Sequence, residues 1–246
     1  MLKKKIRLLL IKVGLVLMLT VGLFKVGNIL GNMSSPKTVY ASSNNTYSVS
    51  DTIVKVAKKV EYKGKILIYN THGNEKNQDS SIAQISTDLK TKLEKKGYVV
   101  EQNLTDFTKS QGYNRAYYAS GDMLSKLDLS QYVLCLDIHT DSTPNPVVAD
   151  FKDGNVAKVM FPNVSENPNL KHQTELVEKI KDGLSTFNNK IYRENVTHYK
   201  RGIIYYCLDK SPNMLLVEIG SDKNSFFECR KTCTLLASAI DRALAK

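Results

Sequence analysis

The chain has 246 residues and a formal net charge of +11, with 35 Lys and Arg against 24 Asp and Glu. Six of those basic residues and none of the acidic ones lie within residues 1–33, so the rest of the chain has a surplus of only five positive charges. So small a surplus argues against nucleic acid as a partner and is compatible with an anionic polymer. Four cysteines do not make the dense framework of a small disulfide-stapled domain.

The N-terminus has the features of a membrane anchor. A basic segment, residues 3–7, precedes an apolar stretch at residues 8–29, which supplies the ~20 residues that a transmembrane helix needs. The basic segment predicts a cytoplasmic N-terminus. The alternative is a secretory signal peptide cleaved after Ala41, which ends a small-residue sequence. With either reading, the remainder of the chain is expected outside the cytoplasm.

The composition divides the chain into three segments. Residues 1–30 are predicted to be the basic segment and anchor. Residues 31–62 begin with a stretch rich in Ser, Asn, Gly and Thr, which is typical of a flexible stalk. Residues 63–246 are predicted to form one catalytic domain.

The hydrophobic pattern of that domain alternates between strands and helices. Apolar runs predict strands at residues 66–69, 98–100, 132–138, 156–161 and 214–217. Helical spacing predicts helices at residues 82–93, capped by Ser80 or Ser81, and at 108–127, 169–184 and 226–244. The state of residues 203–208 is left open. This order predicts an α/β fold with a mostly parallel or mixed central sheet and helices on both faces.

Polar side chains follow three of the predicted strands. His72 and Glu75 follow the first, His139 the third, and Glu218 the last. Reactive groups of α/β proteins gather at such strand ends, and a catalytic zinc ion takes three ligands of the His and Glu type. His72, Glu75 and His139 would supply them, although each histidine alone could be structural. Asp79 is close enough in sequence to compete with Glu75.

Three further acidic residues have candidate roles. Glu218 directly follows four apolar residues, so its carboxylate needs a partner if it is buried. It would act as general base toward a zinc-activated water and then as acid toward the leaving amine. The alternative is a helix-capping or salt-bridged glutamate. Asp137 and Asp141 flank His139, and either could hold its ring N–H; both could also be ordinary polar residues.

The cysteines carry less information. Cys135, Cys229 and Cys233 lie within apolar patterns and are expected to be small buried hydrophobic residues. A cysteine hydrolase based on Cys207 stays open as an alternative, although the residues beside Cys207 do not resemble the context of a known nucleophile.

Three motifs resemble the stage II sporulation protein P family of cell-wall hydrolases, over roughly residues 64–245. Residues 66–75 read ILIYNTHGNE, similar to a family strand followed by T-H-x-x-E. Residues 136–142 read LDIHTDS, similar to L-D-I-H-R-D-S, and residues 215–221 read LLVEIGS, similar to L-L-V-E-V-G-G.

The resemblance implies zinc-dependent hydrolysis of peptidoglycan at the amide between N-acetylmuramic acid and L-alanine, with peptide cross-links as a second target. It implies a fold similar to zinc amidases, with His72, Glu75 and His139 at the metal and Glu218 as the catalytic glutamate. It also implies action at the membrane with other cell-wall hydrolases or septal proteins during sporulation.

Two positions depart from the family pattern. Asn70 stands where many members have another histidine, which removes a possible ligand or substrate contact. Thr140 stands where arginine is usual, which removes a cation that could bind a peptide carboxylate. The segment between anchor and domain is also shorter than usual.

The sequence therefore predicts a membrane-anchored, extracytoplasmic zinc amidase of peptidoglycan. Two alternatives stay open. One is a non-catalytic wall-binding or scaffold protein of the same fold, and the other is a zinc endopeptidase that cleaves stem peptides.

Overall fold

A computed structural model describes residues 62–194 and 199–245. The predicted anchor at residues 1–30 and nearly all of the predicted stalk at 31–62 lie outside these residues. None of the helices in the described part has the length and apolar character required to cross a membrane.

The described residues form seven strands and five α-helices. The strands are β1 (Gly64–Tyr69), β2 (Tyr98–Asn103), β3 (Tyr132–Asp141), β4 (Val148–Ala149), β5 (Val156–Ala157), β6 (Val159–Met160) and β7 (Met214–Ser221). The helices are α1 (Ile82–Glu94), α2 (Thr108–Gln111), α3 (Ala116–Leu124), α4 (Leu170–Ser185) and α5 (Phe226–Leu244). Three short 3₁₀ segments, Tyr113–Arg115, Leu129–Gln131 and Ile204–Lys210, join them.

The central sheet has five strands in the order β2-β1-β3-β7-β6. The first four are parallel, and β6 pairs antiparallel with β7. Strands β4 and β5 form a separate antiparallel pair. The predicted α/β fold with a mostly parallel sheet is therefore confirmed. Because four strands run in one direction, their carboxyl ends meet at one edge of the sheet, which is where a binding site is expected.

Alternate residues of the central strands face two different cores. The larger core contains Ile68, Leu136 and Val217 and is covered by α1, α4 and α5. The smaller core contains Tyr69, Cys135 and Leu216, residues adjacent to those three in sequence, and it packs against α3 and the Ile204–Lys210 segment. Helices therefore cover both faces of the sheet, as predicted.

Serine residues begin two of the helices. Ser81, one of the two predicted caps, accepts a hydrogen bond from the Gln84 backbone N–H, and the Gln84 side chain returns a contact to the Ser81 backbone. Ser225 and Glu228 make the same reciprocal pair at the start of α5. These capping boxes satisfy N–H groups that a helix start leaves without partners.

The structure corrects the predicted bounds of several elements. The strand predicted at 156–161 is two strands, β5 and β6, which separate at Lys158 and pair with different partners. The helix predicted at 108–127 is interrupted at Gly112, whose φ of +77° does not continue a right-handed helix. Strands β3 and β7 extend to Asp141 and Ser221, so that His139 and Glu218 lie within strands and not after them.

Candidate active site

The candidate site lies where the carboxyl ends of β1, β3 and β7 meet. His139 of β3 and Glu218 of β7 are partners in the parallel register. His72 lies in the turn that directly follows β1. Asp137 and His139 share the face of β3 that carries Cys135, because residues two apart in a strand point the same way. That face belongs to the smaller core, so these polar side chains lie on the less extensively covered side of the sheet.

Glu75 joins the two histidines. Its Oε1 lies 3.1 Å from His72 Nδ1 and 3.3 Å from His139 Nδ1. Its Oε2 accepts a 2.9 Å hydrogen bond from the backbone N–H of Thr140. One ligand atom from each of His72, Glu75 and His139 lies within 4.8 Å of the others. The structure thus brings together the three side chains expected at the metal, and their binding of zinc stays a prediction.

The other nitrogen of each imidazole faces a protein oxygen. His72 Nε2 lies 3.2 Å from the backbone oxygen of Tyr113. His139 Nε2 lies 3.0 Å from Asp137 Oδ1, although the alignment is not that of a hydrogen bond. Histidines that bind metals usually present one nitrogen to the metal and donate from the other to a carbonyl or carboxylate. Both rings therefore have the orientation that leaves Nδ1 for a metal.

Asp79 is separated from this cluster by its own hydrogen bonds. Its Oδ1 accepts a 2.6 Å hydrogen bond from the backbone N–H of Phe226, the first residue of α5. The neighbouring Gln78 N–H donates to the backbone oxygen of Asn224. Glu75, and not Asp79, is therefore the carboxylate that meets the histidines, while Asp79 ties the loop that carries Glu75 to the last helix.

The two aspartates that flank His139 have different partners. Asp137 is fully buried and accepts hydrogen bonds from the backbone N–H and the hydroxyl of Thr71, at 2.8 and 2.7 Å. It thus fixes the start of the turn that carries His72. Asp141 instead pairs with Arg193 at 2.5 Å. Of the two aspartates, the structure places Asp137 beside the His139 ring and Asp141 at the rim of the site.

Charges in the cluster oppose the effect of burial. Burial alone would raise the pKa of Glu75, but the charge of His139 and hydrogen bonds from His139, His72 and Thr140 outweigh it, and the pKa lies well below the usual range. Burial would lower the pKa of His139, but the carboxylates of Asp137 and Glu75 raise it well above its usual value. In the absence of a metal, the two carboxylates therefore favour the protonated form of His139.

Glu218 has the opposite character. Burial, reinforced by the negative charge of Asp141, raises the pKa of Glu218 to about 7 despite the charges of His139 and Arg193. Its Oε2 is buried and has no hydrogen-bond partner among the described residues. It lies inside β7, not at a helix start, which does not support the helix-capping alternative. A carboxyl group with such a pKa can both accept and donate a proton near neutral pH.

The donor set fits a zinc ion. Two imidazole nitrogens and one carboxylate oxygen form one of the three-ligand sets found in catalytic zinc sites. The 3.1 and 3.3 Å separations between these donors are close to the ~3.3 Å that separates two ligands in a tetrahedral zinc site. One ligand atom of each residue lies within 4.8 Å of the other two, so His72, Glu75 and His139 could hold the ion.

A cavity of about 720 Å³ surrounds this cluster. Its lining includes His72, Glu75, His139, Thr140, Asp141 and Glu218 together with four tyrosines, Tyr113, Tyr117, Tyr199 and Tyr206. The sequence did not single out these tyrosines, nor Arg193. Their segments approach the site only through the folding of loops. The one available signal is the short spacing between Tyr113 and Tyr117, which both lie within the helix predicted at residues 108–127.

The two positions that depart from the family pattern have different surroundings. Asn70 is buried, donates a 2.7 Å hydrogen bond to the Ile138 backbone oxygen and accepts one from Ser86. It joins β1, β3 and α1 and does not line the cavity. Thr140 lines the cavity, and its backbone N–H holds Glu75. A substitution at position 70 would therefore affect the packing of β1, β3 and α1, whereas a substitution at position 140 would change the lining of the cavity.

All four cysteines are buried and free, as expected for Cys135, Cys229 and Cys233. Burial raises the pKa of Cys207 to about 12, and a thiol with such a pKa is a poor nucleophile near neutrality. Its Sγ donates to the backbone oxygen of Tyr117. These contacts indicate a structural role and do not support a cysteine hydrolase.

The fold and the site together define an α/β protein with a candidate metal centre at the carboxyl ends of its strands. The sequence matches the family Stage II sporulation protein P (SpoIIP) over residues 31–241. The chain belongs to this family. No curated protein matches the sequence in a direct comparison.

Several solved structures resemble the chain. The CwlD amidase from Clostridioides difficile, solved in complex with the GerS lipoprotein, shares 18% identity with a TM-score of 0.47, over 73% of this chain and 95% of that one. The N-acetylmuramoyl-L-alanine amidase AmiC2 of Nostoc punctiforme shares 17% with a TM-score of 0.44, over 74% and 95%. A metallo-carboxypeptidase from Burkholderia cenocepacia shares 14% with a TM-score of 0.44, over 76% and 57%. Likenesses at this level do not assign a reaction to the chain.

Proposed function

We propose that the protein is a zinc-dependent N-acetylmuramoyl-L-alanine amidase that cleaves peptidoglycan outside the cytoplasm. The observation that carries the proposal is the cluster of His72, Glu75 and His139 beside Glu218, in a chain of the SpoIIP family. The family resemblance implies peptidoglycan as substrate and the amide between muramic acid and L-alanine as the bond.

His72, Glu75 and His139 would hold the zinc ion. When bound, zinc would supply a Lewis acid that polarises the amide carbonyl and lowers the pKa of water. Asp137 and the Tyr113 carbonyl keep the two imidazoles turned so that Nδ1 faces Glu75. The N–H of Thr140 fixes the second oxygen of Glu75, so the three donor atoms are held in place before substrate arrives.

Glu218 would move the proton. Its carboxylate accepts the proton of the attacking water and then donates it to the alanine nitrogen as the amide bond breaks. A pKa of about 7 suits both steps, because efficient acid–base catalysis needs a pKa near the working pH. Its buried Oε2 has no competing partner among the described residues.

The remaining parts of the chain fit an enzyme that acts at the membrane. We propose that residues 1–30 anchor it, that residues 31–62 form a stalk, and that residues 63–246 reach the cell wall. Family membership supports a role in sporulation, with septal proteins or other wall hydrolases as candidate partners.

The test is digestion of purified peptidoglycan by the full chain loaded with zinc, with the products identified by mass spectrometry. Free stem peptides with an amino-terminal L-alanine are the expected product. Glu218→Gln should abolish their release, whereas Glu175→Gln, a matched change at an exposed position of α4, should not. Cleaved peptide cross-links instead of free stem peptides would indicate an endopeptidase. A protein that binds peptidoglycan without zinc and releases no product would indicate a scaffold.

A further inference from the structure

A left-handed segment of backbone carries one of the residues that line the cavity, Tyr206. Residues 204–207 have φ angles of +43°, +56°, +54° and +61° in succession, and none of the four is glycine. This conformation brings Cβ too close to the following carbonyl oxygen, so L-residues adopt it singly and seldom in a run. Such strain persists only where surrounding contacts impose it, and it concentrates at functional sites.

Contacts with α3 hold the strained segment in place. Cys207, its last residue, is fully buried, and its Sγ donates to the backbone oxygen of Tyr117 at 3.3 Å. The same sulfur lies 3.9 Å from the Ser120 hydroxyl. These contacts fix Cys207 against α3, the helix that faces the histidines. Tyr206, which precedes Cys207, is therefore also held close to α3.

That preceding residue is Tyr206, and the backbone leaves room for its ring. A Cβ atom added to Gly202 would lie 2.4 Å from Tyr206 Cζ and 2.8 Å from its hydroxyl oxygen. The ring therefore rests directly on the Gly202 backbone, where any other residue would collide with it. Gly202 itself has a φ of +56°, which suits glycine for a second reason.

Tyr206 lines the same cavity as the candidate metal ligands. Its ring centroid is 5.0 Å from that of Tyr117, whose ring lies 5.1 Å from His72 and 6.2 Å from His139. The strained run, Cys207 and Gly202 thus place one aromatic ring at a fixed distance from the cluster. Packing alone needs no such arrangement, because Tyr206 is only partly buried.

We infer that Tyr206 is a specificity residue that receives the sugar ring of the substrate, an inference that rests on the proposed function. The scissile amide has a pyranose on one side and L-alanine, with a single methyl side chain, on the other. Of the two, only the pyranose has a broad face of C–H groups that matches an aromatic ring. The aromatic wall formed by Tyr206 and Tyr117 would therefore select muramic acid over a peptide on the acyl side of the bond.

The experiment compares two soluble substrates of the full, zinc-loaded chain: N-acetylmuramoyl-L-alanyl peptide and the same peptide acylated by lactate alone, which lacks the sugar. The ratio of the two kcat/KM values measures recognition of the sugar. Tyr206→Ala should lower this ratio about tenfold, the effect expected for one lost apolar contact in a pocket, and Tyr206→Phe should keep it. Tyr205→Ala is the matched control, because Tyr205 belongs to the same left-handed run but does not line the cavity.

An unchanged ratio in Tyr206→Ala, or an equal fall in Tyr205→Ala, would overturn the inference. If Tyr206→Ala does not fold, Tyr206→Leu keeps the bulk without the flat ring and should show the same loss. If the parent hydrolyses neither substrate, the proposed function fails, and calorimetry still decides the inference. The parent must then bind N-acetylmuramoyl-L-alanine more tightly than lactoyl-L-alanine, and Tyr206→Leu must abolish the difference; equal binding by the parent would reject it.

Discussion

The ring of Tyr113 stacks on the ring of His72, with 3.7 Å between centroids and 16° between planes. The backbone oxygen of Tyr113 lies 3.2 Å from His72 Nε2, and the Tyr113 hydroxyl donates a 2.9 Å hydrogen bond to Glu75 Oε1. One residue between α2 and α3 thus contacts two of the three proposed zinc ligands. We consider it a positioning residue for the metal site.

Removal of the Tyr113 ring should weaken zinc binding. Tyr113→Ala leaves the backbone oxygen in place but frees the His72 ring, and loss of such a supporting contact costs about tenfold in metal affinity. Tyr113→Phe keeps the stacking and should have a smaller effect. Competition with a chromogenic chelator measures the affinity, and Tyr118→Ala, an exposed tyrosine of α3, is the control. Equal affinities for Tyr113→Ala and the control would exclude the positioning role.

The charge of Asp137 should determine the protonation of His139. Asp137→Asn removes a carboxylate that raises the pKa of His139. Burial, which lowers this pKa, is then opposed by less negative charge, so the pKa of His139 should fall. NMR titration of the imidazole in the zinc-free protein measures this shift. Asp141→Asn is the comparison, because Asp141 pairs with Arg193. A larger shift in Asp141→Asn than in Asp137→Asn would contradict the assignment of Asp137 as the partner of the ring.

The rate of cleavage should follow the ionisation of Glu218. The base form is needed to accept a proton, so kcat/KM should rise with pH and level off above about pH 7, the pKa of this group. Asp141→Asn removes a charge that raises this pKa and should move the midpoint to lower pH. Arg193→Gln removes a charge that lowers it and should move the midpoint to higher pH. Shifts in the reverse directions would show that another group controls the profile.

Asn70 should contribute to stability and not to catalysis directly. Asn70→Ala removes the bond to the Ile138 oxygen and leaves that buried acceptor without its partner, a loss of ~1–3 kcal/mol in the free energy of unfolding. Urea denaturation measures the change. Asn155→Ala, at an exposed position, should unfold like the parent. A parent-like midpoint for Asn70→Ala would contradict the role in packing.

Much of the site follows from the sequence because strands impose simple rules. A parallel sheet gathers strand ends at one edge, so His72, His139 and Glu218 could be placed together without coordinates. The sequence offered both Asp137 and Asp141 as partners of His139, and the structure places Asp137 beside the ring. The sequence left Asp79 as a competitor of Glu75 for the role of carboxylate ligand. In the structure Glu75 contacts both histidines, whereas Asp79 accepts a hydrogen bond from the Phe226 N–H.

The remaining features depend on loops, where the sequence has weak signals. The left-handed run at residues 204–207 contains no glycine, so its composition does not predict this backbone conformation. Arg193 reaches Asp141 across 52 residues of chain. The division of residues 156–161 into two strands depends on which neighbour each half pairs with, which local hydrophobicity does not specify.

The contacts of Gln78 and Asp79 with the start of α5 have a consequence for truncated forms of the protein. These bonds fix the loop that carries Glu75 to residues 224 and 226. A form cut before residue 224 would keep His72, Glu75 and His139 but would lose both of these bonds. Truncation of the last helix should therefore weaken a metal site whose three proposed ligands are all still present.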